Sequence, residues 1–459
     1  MDPTLEPMIR WLSNLVVHFF TGDQIFHKEI LLKRSFRIMV IQGIGLVLSL
    51  AANIFLARTF GEQAYGIYSL VTSWSILIAV LALFGMDDSH LVKLPGYKLG
   101  NSLNKIKAQF NWSFRINLLT SIISILAAYA IINRGNVRGL SEHAREFNYG
   151  LAMVAILCYY NNLISFFRGM DLVVPGEIID KVFRPVSFLL FLYLLPLLES
   201  SRGAGAALLA NNISLSILFG TALIFILPHL HGTRGRDKEK IHFSIRPNFR
   251  YTLLNLLYLA SSRLDILLLG IFAAPVLVGH YNVASRFSEL FSYPIAIINL
   301  SLPTLLAREK QEKGTASTPN LMLVIARNGF FQCLLLDLVV LLAGNWFLSW
   351  YGKGFTQAFP VLCILLLSSL LSAFIGSIDV FFILHGEEKK AIYCRMLALI
   401  VSLILAIFLI PGFGMIGAAL AVLGGNIVYC CLLEVLFYRQ YKLFIHPFHL
   451  QAGRNQVQD

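Results

Sequence analysis

Charge is scarce in this sequence. Only 14% of its 459 residues are Asp, Glu, Lys or Arg, while 57% are hydrophobic and the mean hydropathy is +0.71. That balance excludes a soluble globular chain, in which about 25% of residues are charged. Acids are scarcer still, 25 against 37 Lys and Arg, for a net charge of +12. A basic patch would suggest nucleic acid, but these residues are spread over many short loops. Membrane topology and anionic headgroups account for them better, and no nucleic-acid partner is expected. Chemical motifs are missing as well. There is no GxxxxGK[ST] phosphate loop, no HExxH, no paired CxxC and no nucleophile elbow, so neither an enzyme, a metal site nor a cofactor is expected. The six cysteines (Cys158, Cys333, Cys363, Cys394, Cys430 and Cys431) all lie in or at the ends of apolar runs and read as packing residues.

Long apolar runs are abundant. Crossing about 30 Å of hydrocarbon takes about 17 to 25 mostly apolar residues. Such runs fall near 36–57, 66–85, 112–132, 149–167, 182–198, 204–228, 251–273, 287–306, 321–343, 359–384, 391–411 and 413–437. They are continuously apolar, which predicts helices and excludes a barrel with its alternating strands. The expectation is an all-α polytopic membrane protein of about twelve transmembrane helices. Basic residues alternate with the spans. Of the 37, 29 fall on the N-terminus, the even-numbered loops and the C-terminus, and six (Arg58, Arg134, Arg138, Arg145, Arg202, Lys353) on the other side. The positive-inside rule then puts both termini in the cytoplasm. Arg263 and Arg286 lie within or at the edge of spans seven and eight. No cleavable signal is visible in the opening MDPTLEP, so the first span is expected to direct insertion. Residues 8–20, MIRWLSNLVVHFF, are amphipathic but too short to span, and read as an interfacial helix.

The chain repeats itself. IFLARTFGEQAYGIYSL from Ile54 returns 213 positions later as LLLGIFAAPVLVGHYNV from Leu267, with Gly66 and Tyr68 falling on Gly279 and Tyr281. GAAL at Gly205 to Leu208 recurs at Gly417 to Leu420, 212 positions on. Two parallel six-helix units follow, related by an axis along the membrane normal, as in transporters whose halves rock about a central site. The expected boundaries are a cytoplasmic segment 1–35, a first lobe 36–228, a basic linker 229–250, a second lobe 251–437 and a tail 438–459. The formal dinucleotide pattern GFGMIG, Gly412 to Gly417, has no strand before it. It reads as a tight helix–helix connection.

Ionisable and polar residues inside the spans are the functional candidates, because each charge costs roughly 2.5 to 3.5 kcal/mol at the bilayer centre. Span seven carries Asn255, Tyr258, Ser262 and Asp265 on one stripe, with Arg263 beside it. Positions two apart do not face each other on a helix, so Arg263 and Asp265 need partners elsewhere. Span eight offers Ser285, Glu289, Ser292 and Asn299, with Arg286 one turn from Glu289. Span one adds Gln42, Ser49 and Asn53 and ends at Arg58. Two readings stand side by side: buried ion pairs that join helices, or a water-filled cavity. In the second, Arg58, Arg263 and Arg286 receive an anion, with Asn53, Asn255, Tyr258 and Ser262 as polar contacts. Asp265, Glu289 and Asp379 would then titrate or bind a coupling cation, Na+ or H+. Asp337 and Glu434 are weaker candidates. Asn161, Asn162, Asn211, Asn212 and Asn426 read as interhelical hydrogen-bond formers. Gly66 and Gly279 read as flexible turns before interfacial tyrosines, or as hinges of the outward mouth. Pro294 frees the Leu290 carbonyl and predicts a kink in span eight.

LARTFGEQAYGIYSLVTSW from Leu56, DILLLGIFAAPVLVGHYNVASRFSEL from Asp265 and the two GAAL segments resemble the polysaccharide-transport branch of the multidrug/oligosaccharidyl-lipid/polysaccharide (MOP) flippase superfamily, to which Wzx-type O-antigen flippases belong. The resemblance implies a V-shaped bundle of two six-helix lobes in the bacterial inner membrane. It implies translocation of a polyprenyl-pyrophosphate-linked oligosaccharide to the outer leaflet for surface polysaccharide. Membrane lipids, a polysaccharide polymerase and glycosyltransferases are the implied partners. Two alternatives remain open from the residues: a cation-coupled multidrug exporter of the same fold, and a non-transporting scaffold for polysaccharide assembly.

Overall fold

The computed structural model describes residues 26–100, 102–134, 141–198, 203–230, 245–292, 302 and 318–448. The interfacial helix expected over 8–20, most of the linker 229–250, Asn299, and Pro294 with its kink lie outside these residues. No strand occurs among the described residues. Among the described residues eight helices are long and apolar enough to cross a membrane, and two of those, Phe36–Leu83 and Glu388–Tyr441, each fold back on themselves.

The folding-back is set by single glycines. Phe26–Leu83 divides at Gly61 (φ 84°, ψ 171°) into α1 (26–60) and α2 (62–83). The Tyr65 hydroxyl donates to Asn53 Oδ1 at 3.4 Å, although twelve residues on one straight helix lie about 18 Å apart. Likewise Glu388–Tyr441 divides at Gly414 (φ 56°, ψ −128°), in the middle of GFGMIG. The resulting hairpin is so close that a Cβ at Gly425 would stand 3.0 Å from the Ala398 carbonyl oxygen. Between these lie α3 (Met86–Leu99), α4 (Leu103–Arg134), α5 (Ala144–Gly169), and α6, which runs 173–198 through a π-helical stretch at Ile178–Phe183. Next come α7 (Ala204–Leu230), α8 (Arg246–Phe272), α9 (Pro275–Phe291), α10 (Thr318–Ser349), α11 (Phe359–Phe374), the short α12 (Ile378–Leu384), α13 (388–413) and α14 (415–441). Leaving aside the short α3 and α12, twelve helices remain among the described residues, six in each half.

Two spans differ from expectation. Span eight begins at Pro275 and not at 287. Its first turns, with His280 and Asn282, are too polar to score as membrane, yet both side chains are at most 3% exposed because they face the other half. Span ten is interrupted at Gly376 (φ 64°), where α11 gives way to α12.

The repeat meets itself in space. Helices α2 and α9, equivalent at the offset of 213, pack side by side. A Cβ on Gly66 would overlap the Pro275 carbonyl oxygen, and one on Gly279 would lie 3.2 Å from the Glu62 carbonyl oxygen. Pro275 is the counterpart of Glu62 at that same offset, so the contact is isologous about a pseudo-two-fold axis. Ser69 and Asn282, also equivalent, hydrogen-bond to each other at 2.9 Å. Lipid tails are as apolar as leucine, so helices associate in a bilayer through close backbone approach and polar contacts. The Gly66–Gly279 crossing supplies both. One apolar core built from both halves surrounds this crossing, with Tyr65, Tyr281, Tyr351 and Phe355 fully buried. The remaining cores each belong to a single half. The halves therefore share packing at one end and diverge toward the other, a V. On one flank α8 keeps contact to the far end: Asn248 Nδ2 meets Met86 Sδ at 3.1 Å, and Asn255 Nδ2 donates to Asp87 at 3.3 Å and Asp88 at 3.0 Å.

Candidate functional site

The candidate residues separate into three places. At the joined end, Arg58 is exposed, and its Nε donates across the halves to the Trp350 carbonyl at 2.6 Å. Nearby, Glu62 in the first turn of α2 pairs with the buried His280 of α9 at 2.9 Å. Asn53 is 6% exposed and bonds only within the α1–α2 hairpin, to the Ser49 carbonyl and Tyr65. Gly66 and Gly279 lie inside helices at the crossing, and the turns are instead at Gly61 and at Ala273–Ala274. Tyr68 and Tyr281 are at most 8% exposed, so they pack in the interior and do not anchor at a membrane interface.

Arg286 occupies the second place, eleven residues into α9 and so about 16 Å from its start. Side chains on a helix lean toward its N-terminus, which carries the guanidinium back toward the crossing. It lies beside the Tyr65 hydroxyl and within electrostatic reach of Tyr68, Tyr351 and Glu289. The local pair with Glu289 does not form: no carboxylate stands within ion-pair distance of Arg286 among the described residues. Its Nε is buried without an acceptor, and the Tyr351 hydroxyl is buried without a partner too. Glu289 itself is exposed, and Arg263 on α8 is half-buried.

The third place is a cavity of ≈ 260 Å³ inside the second half, between α8, α9, α11, α13 and α14. Ser261, Ser288, Ser368 and Ser402 line it with Asp265, Asn426 and Arg395. Asp265 accepts from the Tyr281 hydroxyl at 2.6 Å and from its own helix at Ile266 N, 2.8 Å. Its partner on α9 is thus a tyrosine, one turn from the expected Ser285 and two from Glu289. Asp379 of α12 accepts from Tyr429 at 3.0 Å and pairs with Arg395 at 3.4 Å. Arg395 stacks over the Tyr429 ring at 4.1 Å and lies 5.8 Å from the ring of Tyr258. Tyr258 and Ser262 are exposed on α8. Asn255, the first residue of that stripe, is drawn away to Asp87 and Asp88. The volume falls just below the ~300 to 1,000 Å³ of drug-sized sites, enough for one small hydroxyl-rich group.

Arg395 and Tyr429 are functional candidates that sequence reading misses. The charge count assigns Arg395 to the basic loop before span eleven, yet it sits on α13 in the cavity. The signal was available in Asn426 and Tyr429, one turn apart on span twelve. Of the asparagines, Asn211 bonds Tyr68 at 3.2 Å, Asn212 the Tyr149 carbonyl at 3.0 Å and Asn426 the Ser368 carbonyl at 2.6 Å, so all three tie helices together. Glu434 caps the Ile445 amide at 2.6 Å. No metal-binding group of three or more His, Cys, Asp or Glu occurs among the described residues.

No protein-family model matches the sequence, and no curated protein matches it. Solved structures do match. An inward-facing multidrug-resistance MATE transporter of the MOP superfamily superposes with a TM-score of 0.69 at 14% identity, over 88% of this chain and 98% of that one. The lipid II flippase MurJ in its inward closed conformation gives 0.65 at 14% identity, over 89% and 87%. A MOP-superfamily transporter from Pyrococcus furiosus, described as having a binding pocket of reverse polarity, gives 0.64 at 14% identity, over 89% and 94%. The fold is that of the MOP transporters. An outward-facing MATE structure of that fold scores lower, 0.57, than the inward-facing one.

Proposed function

We propose that this protein is a flippase that carries a polyprenyl-pyrophosphate-linked oligosaccharide from the cytoplasmic to the outer leaflet of the bacterial inner membrane by alternating access. The observation that carries the reading is Arg286. A guanidinium at mid-depth, with no carboxylate at ion-pair distance among the described residues and its Nε unpartnered, is costly unless an anion joins it. Its planar fork of donors fits the oxygens of a pyrophosphate. Neighbouring tyrosine hydroxyls add donors at the crossing about which the halves would rock. The serine-lined cavity with Asn426 and Arg395 offers hydroxyl and amide groups to a sugar. Arg263 and Arg58 extend the cationic path, and Asp265 or Asp379 would carry a coupling cation. Polysaccharide polymerase and glycosyltransferases are the partners this role requires. A drug exporter is less well supported, because a buried guanidinium nitrogen, Arg286 Nε, is left without an acceptor, and a guanidinium attracts an anion and repels a cationic drug.

Deleting the gene should abolish surface glycan and leave polyprenyl-linked repeat units inside the cell. Complementation with Arg286→Gln should fail at normal protein level, while Arg286→Lys should restore a fraction. Normal surface glycan in the deletion strain, or full activity of Arg286→Gln, overturns the reading. A changed drug-susceptibility panel with intact glycan would point to the exporter.

A further inference from the structure

Beyond α14 the chain turns back on the second half. The helix closes at Lys442, whose left-handed backbone (φ 53°) lets its amide donate to the Tyr438 carbonyl at 2.8 Å. That is a complete helix terminus. Residues 443–448 then return alongside α14, and the Ile445 amide reaches the Glu434 carboxylate at 2.6 Å, about two turns up the helix. Ile445 and Pro447 are buried, while Phe444 and Phe448 stay 50% and 63% exposed. Phe444 lies flat on Tyr438 at 4.1 Å. The Phe448 ring stands 5.8 Å from Phe330 and 6.2 Å from Phe331 of α10, and 6.4 Å from Phe374, the last residue of α11.

This strap covers the interruption of span ten. Helix α11 stops at Phe374 and α12 starts at Ile378, with Gly376 in the left-handed region between them (φ 64°). A helix end leaves carbonyls without partners in their own helix, and such backbone persists at membrane depth only where protein covers it. On one side α10 does so, since a Cβ on Gly376 would stand 3.0 Å from Ala326 Cβ. The strap covers another: Ile445 joins Ile375, Ile378 and Phe381 in one apolar cluster, and Phe448 meets Phe374. Just past the break, Asp379 accepts from Tyr429 and pairs with Arg395. Of the residues that α13 and α14 contribute to the cavity wall, Arg395 and Tyr429 lie nearest the open end of the bundle, while Asp379 does not line the cavity. Asp379 therefore stands behind the two and ties the cavity floor together.

We propose that residues 443–448 are a detachable strap that holds α12 in place, keeps Asp379 against Arg395 and Tyr429, and so shuts the second-half cavity toward the open end of the bundle. Three observations make the strap separable. Helix α14 terminates without it, both of its phenylalanines are half exposed or more, and one oxygen of Glu434 hooks its amide while the other is buried without a partner. Segments held by few buried groups open before the helices they rest on. Release bares the break, loosens α12 and lets the floor part. The strap acts on the cavity wall whatever the cavity carries, so its test is independent of the cargo proposed above.

Hydrogen–deuterium exchange of the full chain in lipid nanodiscs reads the strap directly. Glu434→Ala removes the hook and should speed exchange of the amides of 375–385 about tenfold, the effect of losing a hydrogen bond to a charged acceptor, with α5 in the first half unchanged. Glu434→Gln keeps an acceptor oxygen and should restore most of the protection. Arg395→Gln frees Asp379 and should speed the same amides. Combined with Glu434→Ala, it should depart from the product of the two single effects, because both act on α12. Unchanged exchange over 375–385 in Glu434→Ala overturns the proposal. So does an acceleration that extends equally to α5, which is global loosening. A double variant that equals the product of the singles uncouples the strap from the cavity floor and overturns it as well. Should Glu434→Ala fail to fold, Phe448→Ala, at an exposed position, takes its place, and unchanged exchange there overturns it equally.

Discussion

Gly66→Ala is the sharpest perturbation this architecture offers. The added Cβ would stand 2.5 Å from the Pro275 carbonyl carbon and closer still to its oxygen, where ordinary contact begins at 3.4 Å. Both partners are helix backbone, which cannot rotate aside as a side chain can. The halves must part by about 1 Å at their crossing, and overpacking of this kind costs about 1 to 3 kcal/mol. That corresponds to a shift of about 5- to 150-fold against the state joined at this end. Gly279→Ala meets Glu62 O and Gly66 Cα at a milder 3.2 Å, so its effect should be smaller. Gly43→Ala, with nothing within 4 Å of the new methyl, should leave the crossing unchanged and gain up to ~1 kcal/mol of helix propensity. Spin labels at the exposed Thr59 and Lys353, in a background without native cysteines, would report the separation by pulsed electron resonance. Longer distances in the order Gly66→Ala, Gly279→Ala, Gly43→Ala are expected. An unchanged distance distribution in Gly66→Ala would refute the crossing as the point on which closure depends.

Two further outcomes follow from charged groups. Asp87 sits in the first turn of α3, outside the spans, where burial and then the neighbouring Asp88 push its carboxyl up to about 6. A raised value means the protonated form suits the fold. The contribution is complete below the ordinary carboxyl range near ~3.9 and lost as pH rises through about 6. Between pH 5 and 7 the unfolding temperature should therefore fall further in the wild type than in Asp87→Asn, and parallel curves would contradict the burial of this carboxyl. Arg395→Gln removes the cation facing Asp379, and with side chains 30% and 27% exposed the loss should be about 1 to 2 kcal/mol, below that of a fully buried pair. Arg395→Lys should not recover it, because an ammonium cannot stack over Tyr429 as a guanidinium does. Full recovery in thermal unfolding would show that only the charge matters.

Much of this protein is set by the sequence acting alone. A chain this apolar has no soluble option, and continuous runs leave helices as the only way to satisfy the backbone in lipid. The offset of 213 between the motif copies imposes two like-oriented halves. It even specifies neighbours, since Gly66 meets Gly279 and Ser69 meets Asn282 across the resulting axis. Where residues are polar yet buried, the sequence misleads. His280 and Asn282 made span eight begin late, because hydropathy scores a side chain without knowing what covers it. Partners were illegible for the same reason. Asp265 could be seen to need one, but the choice of Tyr281, of Arg395 for Asp379, and of Tyr65 beside Arg286 depends on helices far apart in sequence. Tertiary structure also decided which end of the bundle is joined. The close approach at that end depends on two missing methyl groups, at Gly66 and Gly279, whose effect exists only once both halves are packed against each other.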